Sequence, residues 1–262
     1  MAGKKQRQRR LARERHERRL VRRAQRDRRA RIWSIGATVA VVVIGGSVGG
    51  AVFAGRSNGT SSTPKPKATA STTAHCTYTA NPPAARKVNF PPTTASKKAS
   101  YEATMTTNRG PIVIDLLNSK APCTVNSFVS LAKQDFYNNT PCPRLSSSAA
   151  PYMLQCGDPT GKGSGGPGYE FASENLAGAT YPAGTLAMAN TGAPDSNGSQ
   201  FFLVYQNSSS LPPDYTPFGK IVSGLNILQN VAKRGFGPPL STAGGGAPKE
   251  SVEIESVTIK QT

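Results

Sequence analysis

Between Tyr101 and Thr262 apolar residues come in short runs, each cut off by glycine, proline or asparagine, and only two stretches keep helical spacing. Tyr101 to Thr107 and Pro111 to Leu117 flank Asn108-Arg109-Gly110, a turn composition that favours positive φ, so they predict a hairpin. Further short strands are predicted at Pro141 to Leu145, Tyr152 to Cys156, Thr185 to Asn190, Gln200 to Tyr205 and Pro217 to Val222, with a last one over Val252 to Ile259. Pro122 to Lys133 places Val125, Phe128, Val129 and Ala132 on one helical face, with proline in the first turn where its missing N–H costs nothing. Ser223 to Arg234 does the same with Leu225, Ile227, Leu228 and Val231, and Gly235 stops it. Many strands, two helices and no strand–helix alternation predict a mainly β fold, a closed antiparallel barrel capped by the helices.

The hundred residues before this region differ in kind. The chain carries a net charge of +18, and residues 1–31 hold twelve of those charges, as fifteen Lys and Arg against Glu14, Glu17 and Asp27. Such an arm meets an anionic surface, and the apolar run behind it favours lipid headgroups over RNA. Residues 32–55 contain no charged side chain and are long enough to cross a bilayer as a helix. Basic residues before the span and a Ser/Thr/Pro stretch with few charges after it predict a single-pass protein of the cell membrane, amino terminus in the cytoplasm and the remainder outside. A cleavable signal peptide ending near Val52 and Ala54 is the competing reading. Residues 56–100 read as a Ser/Thr/Pro-rich, disordered linker followed by an extended lead-in, and residues 101–262 as one domain.

The chemistry open to that domain is narrow. His16 and His75 are the only histidines and both precede it, so nucleophilic catalysis through a Ser-His or Cys-His pair has no base, and zinc lacks its usual nitrogen ligand. The loop Gly161-Lys162-Gly163-Ser164-Gly165-Gly166 lacks the spacing of a phosphate-binding loop. No metal or cofactor is expected. Ala187-Met188-Ala189-Asn190 and Asn197-Gly198-Ser199-Gln200-Phe201-Phe202-Leu203, with Arg144 and Gln155 on further short strands, instead place an arginine and two glutamines around an apolar hollow suited to a neutral peptide. Rotation about an X-Pro bond needs no base. A pocket for the ring and a donor aimed at the twisted amide suffice, because both act by binding the transition state more tightly than the ground state.

Taken in order, Gly110-Pro111-Ile112-Val113, Ala121-Pro122-Cys123-Thr124-Val125-Asn126-Ser127-Phe128, Arg144, Gln155-Cys156-Gly157-Asp158, Gly163-Ser164-Gly165-Gly166, Met188-Ala189-Asn190, Asn197 to Phe202 and Phe218-Gly219-Lys220 resemble the cyclophilins over nearly the whole domain. The anchored, Ser/Thr-tethered layout is most similar to the exported cyclophilins of actinobacteria. The resemblance implies an eight-stranded barrel and peptidyl-prolyl isomerase activity, with a non-catalytic, proline-peptide-binding chaperone as the alternative. It implies that Arg144 is the catalytic arginine and that Gln155 orients it and the substrate carbonyl. Tyr152, Met153, Phe202 and Leu211 correspond to the proline pocket, Ala189 and Asn190 to the edge that pairs with the substrate backbone, and Gln200 to the neighbouring amide. Tyr215 stands where many members carry a pocket histidine. The partners implied are proline-containing peptides and unfolded exported proteins, met by a monomer that uses no nucleic acid.

Two departures stand out: Cys142-Pro143-Arg144 replaces a Phe-His-Arg run, and the loop from Arg144 to Met153 is longer than in short members. The drug-binding tryptophan is also missing, Trp33 being the only one in the chain. Cys76, Cys123, Cys142 and Cys156 all follow the apolar span, on the side where disulfides persist. Four cysteines allow three pairings. Cys142 and Cys156 fall on strands expected to be neighbours, and Cys123 with Cys142 is the preferred pair.

Overall fold

A computed structural model describes residues 71–147, 151–209, 211–239 and 244–261, all within one compact unit, Lys67–Thr262. The basic arm, the transmembrane segment and most of the linker lie outside the described residues. Among the described residues no helix is long and apolar enough to cross a membrane.

The chain enters through β1 (Thr73–His75), β2 (Thr79–Ala80) and β3 (Thr94–Ser96), then forms the expected hairpin from β4 (Tyr101–Thr107) and β5 (Gly110–Leu116). Alternation on β4 buries Ala103, Met105 and Thr107. Gly110 takes φ 118, a value that an L side chain rarely adopts. Helix α1 (Pro122–Lys133) follows, burying Val125, Phe128, Leu131 and Ala132. Its first turn is capped from a distance: the Glu174 carboxylate accepts the Thr124 N–H at 2.8 Å and the Cys123 N–H at 3.2 Å. A carboxylate at that end also complements the helix dipole.

Next come β6 (Thr140–Pro141), β7 (Arg144–Ser146), β8 (Met153–Cys156), β9 (Tyr169–Glu170), β10 (Thr185–Met188), β11 (Phe201–Val204) and β12 (Pro217–Ser223). Helix α2 (Leu225–Arg234) turns Leu228 and Val231 inward and ends at Gly235, φ 76. The chain closes with β13 (Phe236–Pro239), β14 (Gly246–Pro248) and β15 (Glu253–Gln261). The main core packs Phe128 against Tyr137, Phe201 and Phe218, with ring centroids 5.2, 5.7 and 5.4 Å away.

Two expectations need correction. The barrel is not an eight-stranded closed one: among the described residues the main sheet has eleven strands in the order β13-β14-β7-β8-β11-β10-β12-β5-β4-β15-β6 and no ladder joins its ends. The single strand expected over 141–145 is split at Cys142-Pro143, β6 pairing with β15 and β7 with β8, and Pro143 has no N–H to continue a ladder. Pro141 and Arg144 are three chain steps apart, about 11 Å at most, so the β6 end of the strand order lies beside β7 and the sheet is rolled up.

Residues 71–100 form three short extended strands, and β2 pairs with β9 inside the domain. Tyr78 packs edge-on to Tyr169 and Phe171 at 5.5 and 5.6 Å, and its hydroxyl donates to the Cys123 carbonyl. The Arg86 guanidinium donates to the backbone carbonyls of Asp135, Phe136, Asn138 and Asn139 after α1.

The second correction is the disulfides, which join Cys76 to Cys123 and Cys142 to Cys156, leaving the preferred Cys123–Cys142 pair unmade. Antiparallel pairing of β7 with β8 brings Cys142 beside Cys156, with Cα atoms 4.1 Å apart. Cys123, at the head of α1, instead faces the lead-in.

Candidate functional site

Strands β7, β8, β11 and β10 are adjacent, and their register places Arg144, Gln155, Phe202 and Ala187 in one row across the sheet. Alternation then sorts the side chains. Leu145, Leu154, Leu203 and Leu186 face the main core, while Met153, Phe202, Val204 and Ala187 form a second apolar cluster on the opposite face. Tyr181 is buried in that cluster, and Ala189, Leu211 and Tyr215 pack against it. Both faces of these strands are covered, which is why they read as continuous apolar runs.

Above the second cluster lies a hollow of about 420 Å³. Of the residues singled out from sequence, Arg144, Met153, Gln155, Ala189, Asn190, Phe202, Leu211 and Tyr215 line it. Met153 and Phe202 are 4% and 2% exposed and make its apolar floor. The Tyr215 ring stands edge-on to Phe202 at 5.5 Å, held by its backbone: the Tyr181 hydroxyl donates to the Tyr215 carbonyl and accepts its N–H. The Asn190 amide donates to the Asp214 carbonyl, closing that side.

The Arg144 guanidinium is held in place on two sides. Its Nε donates to the Gly244 carbonyl at 2.9 Å and one terminal nitrogen donates to Gln155 Oε1 at 3.0 Å. Gln155 in turn donates to Gln200 Oε1 at 2.8 Å, and Gln200 donates to the Gly165 carbonyl at 3.0 Å. Burial lowers the Arg144 pKa from its ordinary value, and the neighbouring Tyr215 hydroxyl acts in the opposite direction. An arginine keeps its charge through such a shift. The result is a half-buried, partly desolvated cation beside an apolar floor, with its donors aimed by three amides in series.

Two predicted residues sit elsewhere. Tyr152 lies in a separate depression with Tyr205 and Gln206, its ring 6.0 Å from that of Tyr205. It is adjacent to Met153 in sequence, and neighbouring strand residues face opposite sides. Gln200 lines a second hollow instead, touching the first through Gln155. Residues not anticipated as lining are Pro143, Pro151, Lys162 and Gly163. Lys162 and Gly163 belong to the glycine-rich loop, whose composition was the one available signal.

That loop is organised by Asp158. Its buried carboxylate accepts the N–H groups of Thr160, Ser164 and Gly165 at 2.7–3.0 Å and the Thr160 hydroxyl at 2.8 Å. Burial alone would raise this carboxyl, but the hydrogen bonds from Gly165, Thr160 and Gly163 outweigh it and hold the pKa below the usual value. Among the described residues no group of three or more His, Cys, Asp or Glu is placed to hold a metal ion.

Residues 103–259 match the family described as cyclophilin type peptidyl-prolyl cis-trans isomerase/CLD. The chain is 45% identical over 212 residues to a protein named probable peptidyl-prolyl cis-trans isomerase B of Mycobacterium tuberculosis, covering 74% of this chain and 66% of the relative. It is 48% identical over 191 residues to the protein of the same name from Mycobacterium leprae, covering 68% and 61%. It thus spans just under two thirds of these relatives' length. A crystal structure of a Cryptosporidium parvum cyclophilin type peptidyl-prolyl cis-trans isomerase superposes with a TM-score of 0.55 at 28% identity, over 62% of this chain and 99% of that one. A second structure of that protein, determined in the presence of the dipeptide Ala-Pro, gives 0.54. With sequence, motif order and fold in agreement, the chain belongs to the cyclophilin-type peptidyl-prolyl cis-trans isomerase family.

Proposed function

We propose that the domain accelerates cis–trans rotation of X-Pro bonds in exported or cell-envelope proteins, tethered to the membrane through residues 32–55. The observation that carries this is the Arg144 guanidinium, half-buried beside the Met153–Phe202 floor and aimed by Gln155. The uncatalysed barrier of roughly 18–20 kcal/mol comes from delocalisation of the nitrogen lone pair into the carbonyl. At the twisted geometry the pair returns to nitrogen and can accept a hydrogen bond. Arg144 supplies the donor, Met153, Phe202, Leu211 and Tyr215 seat the ring, and burial strengthens the interaction by excluding water. No proton is transferred, consistent with a site that contains no histidine. The Ala-Pro dipeptide used with the Cryptosporidium neighbour supports a proline peptide as the ligand here.

The test is exchange of X-Pro isomers in a short peptide. Arg144→Ala should lower kcat/KM by about 10²–10³-fold, the loss typical of a preorganised transition-state donor. An unchanged rate would remove Arg144 from the mechanism. Peptide binding with no rate enhancement by the wild type would leave the non-catalytic, proline-binding chaperone in its place.

A further inference from the structure

Arg144 is held from two parts of the chain that lie far apart. Gln155 belongs to β8, whereas Gly244 stands 100 residues beyond the arginine, at the head of the run Gly244-Gly245-Gly246 that leads into β14. The guanidinium is a rigid plane, and its Nε bond at 2.9 Å and terminal-nitrogen bond at 3.0 Å fix that plane at two separate atoms. With either bond alone the group would pivot about it.

The glycine run explains how a backbone carbonyl comes so close. Strands β13 and β14 form a hairpin, tied at its base by the Lys249 N–H to the Gly235 carbonyl at 2.9 Å and by the Arg234–Glu250 ion pair. Its second strand meets β7 at one register point, Gly246 opposite Leu145, the residue after Arg144. Gly245 is buried with φ 74, and a Cβ there would overlap the Leu145 carbonyl oxygen and lie 3.2 Å from the Ser146 Cα. A Cβ at Gly246 would come within 2.6 Å of the Gly237 and Pro238 carbonyl oxygens. Both positions therefore need a bare Cα for the hairpin to lie against β7. Gly244 differs: its φ is 75, but the space where its Cβ would stand is open. None of the three glycines is among the described residues lining the first hollow.

We propose that the β13–β14 hairpin is a positioning element for Arg144 and that Gly245 is its critical residue: lacking a side chain, it seats the hairpin on β7, which presents the Gly244 carbonyl to Arg144 Nε. This rests on the isomerase reading, since it concerns what the aim of Arg144 does to the rate. The glycine run stands outside the hollow, so disturbing it leaves the seat of the proline ring intact and misdirects only the donor. A misplacement of about 1 Å at a reacting group costs up to about 10²-fold in rate. A pivot about the surviving bond to Gln155 is a smaller fault, of about tenfold in kcat.

The test measures kcat and KM for X-Pro exchange with the full chain, together with hydrogen exchange of the Arg144 Nε–H by NMR. Gly245→Ala should lower kcat about tenfold, leave KM within about twofold and speed exchange of the Nε–H. Combined with Arg144→Ala, the same substitution should cost nothing further, because no guanidinium remains to be aimed. Should Gly245→Ala fail to fold, Gly244→Pro replaces it: the ring has room, and its φ of about −65° turns the carbonyl away from Nε. A rise in KM at unchanged kcat, an equal loss in the Arg144→Ala background, or unaltered Nε–H exchange overturns the proposal. If the wild type accelerates no X-Pro exchange, the isomerase reading fails by itself, and Nε–H exchange then decides alone whether the hairpin holds Arg144.

Discussion

Arg144 and Gln155 face each other across the β7–β8 ladder, and the guanidinium donates to the amide oxygen at 3.0 Å. A disulfide ties Cys142, two residues before Arg144, to Cys156, the residue after Gln155. Orientation of the arginine is therefore imposed by side-chain bonding and by the backbone that carries it.

Gln155→Leu keeps the volume but removes the acceptor for Arg144 and the donor to Gln200. The predicted result is a fall in kcat of about 10²-fold with little change in KM, as for a group that aims the catalytic donor. A steady-state analysis on one X-Pro peptide separates the two parameters. A rise in KM alone would mean that Gln155 serves binding and leaves the aim of Arg144 untouched.

Replacing Cys142 and Cys156 together by serine opens a loop of 14 residues. Chain entropy puts the loss of stability at about 3 kcal/mol. Activity per folded molecule should also fall, because the staple sits beside Arg144 and Gln155. Denaturant titration and the isomer-exchange rate, run on the same sample, give both quantities. Lower stability at full activity would show that the strands hold Arg144 without the covalent link.

Cys76 and Cys123 are 47 residues apart, and the same argument gives about 4 kcal/mol for that bond. Its removal by Cys76→Ser with Cys123→Ser should release the lead-in before the barrel. Hydrogen exchange would report this as faster exchange at Asn81 and Ala85, whose N–H groups bond to the loop. Protection retained at both sites would place the main hold on the β2–β9 pairing and the Arg86 contacts.

Asp158 predicts an acid limit. Its pKa is depressed in the folded state, so its stabilising contribution is complete above the ordinary carboxylate value and is lost as pH falls through the folded value. Loosening of the 158–166 loop is thus expected below about pH 4, the unfolded Asp value. Asp158→Asn should cost about 1.5–3 kcal/mol at neutral pH and flatten this acid dependence. Thermal melts from pH 3 to pH 7 of both proteins provide the comparison, and parallel curves would sink the assignment.

The parts that were legible in the sequence are those whose cause is local. The β4–β5 hairpin follows from Asn108-Arg109-Gly110, and α1 from Pro122 and the spacing of Val125, Phe128 and Ala132. The glycine stop at Gly235 marks the end of α2, while Gly224 shifts its start to Leu225: a Cβ at Gly224 would lie 2.5 Å from the Pro111 carbonyl. The carry-over of site residues placed both Tyr152 and Met153 in one pocket, whereas in the structure Met153 lines the first hollow and Tyr152 a separate depression beside Tyr205. The cap on α1 was not legible, because Glu174 lies 50 residues beyond Thr124.

By itself the sequence determined which residues share a face and which chemistries lack their groups, since periodicity and composition are properties of neighbours along the chain. It determined that an arginine, two amides and an apolar floor are available, and that no histidine lies in the domain. Only the tertiary structure decided that Pro143 breaks the sheet between β6 and β7, that Cys142 bonds to Cys156, and that Asn81 to Pro83 wall a second hollow. Each of these depends on segments brought together through space, where the entropy of closing the intervening chain is offset by burial, and no spacing along the chain encodes that outcome.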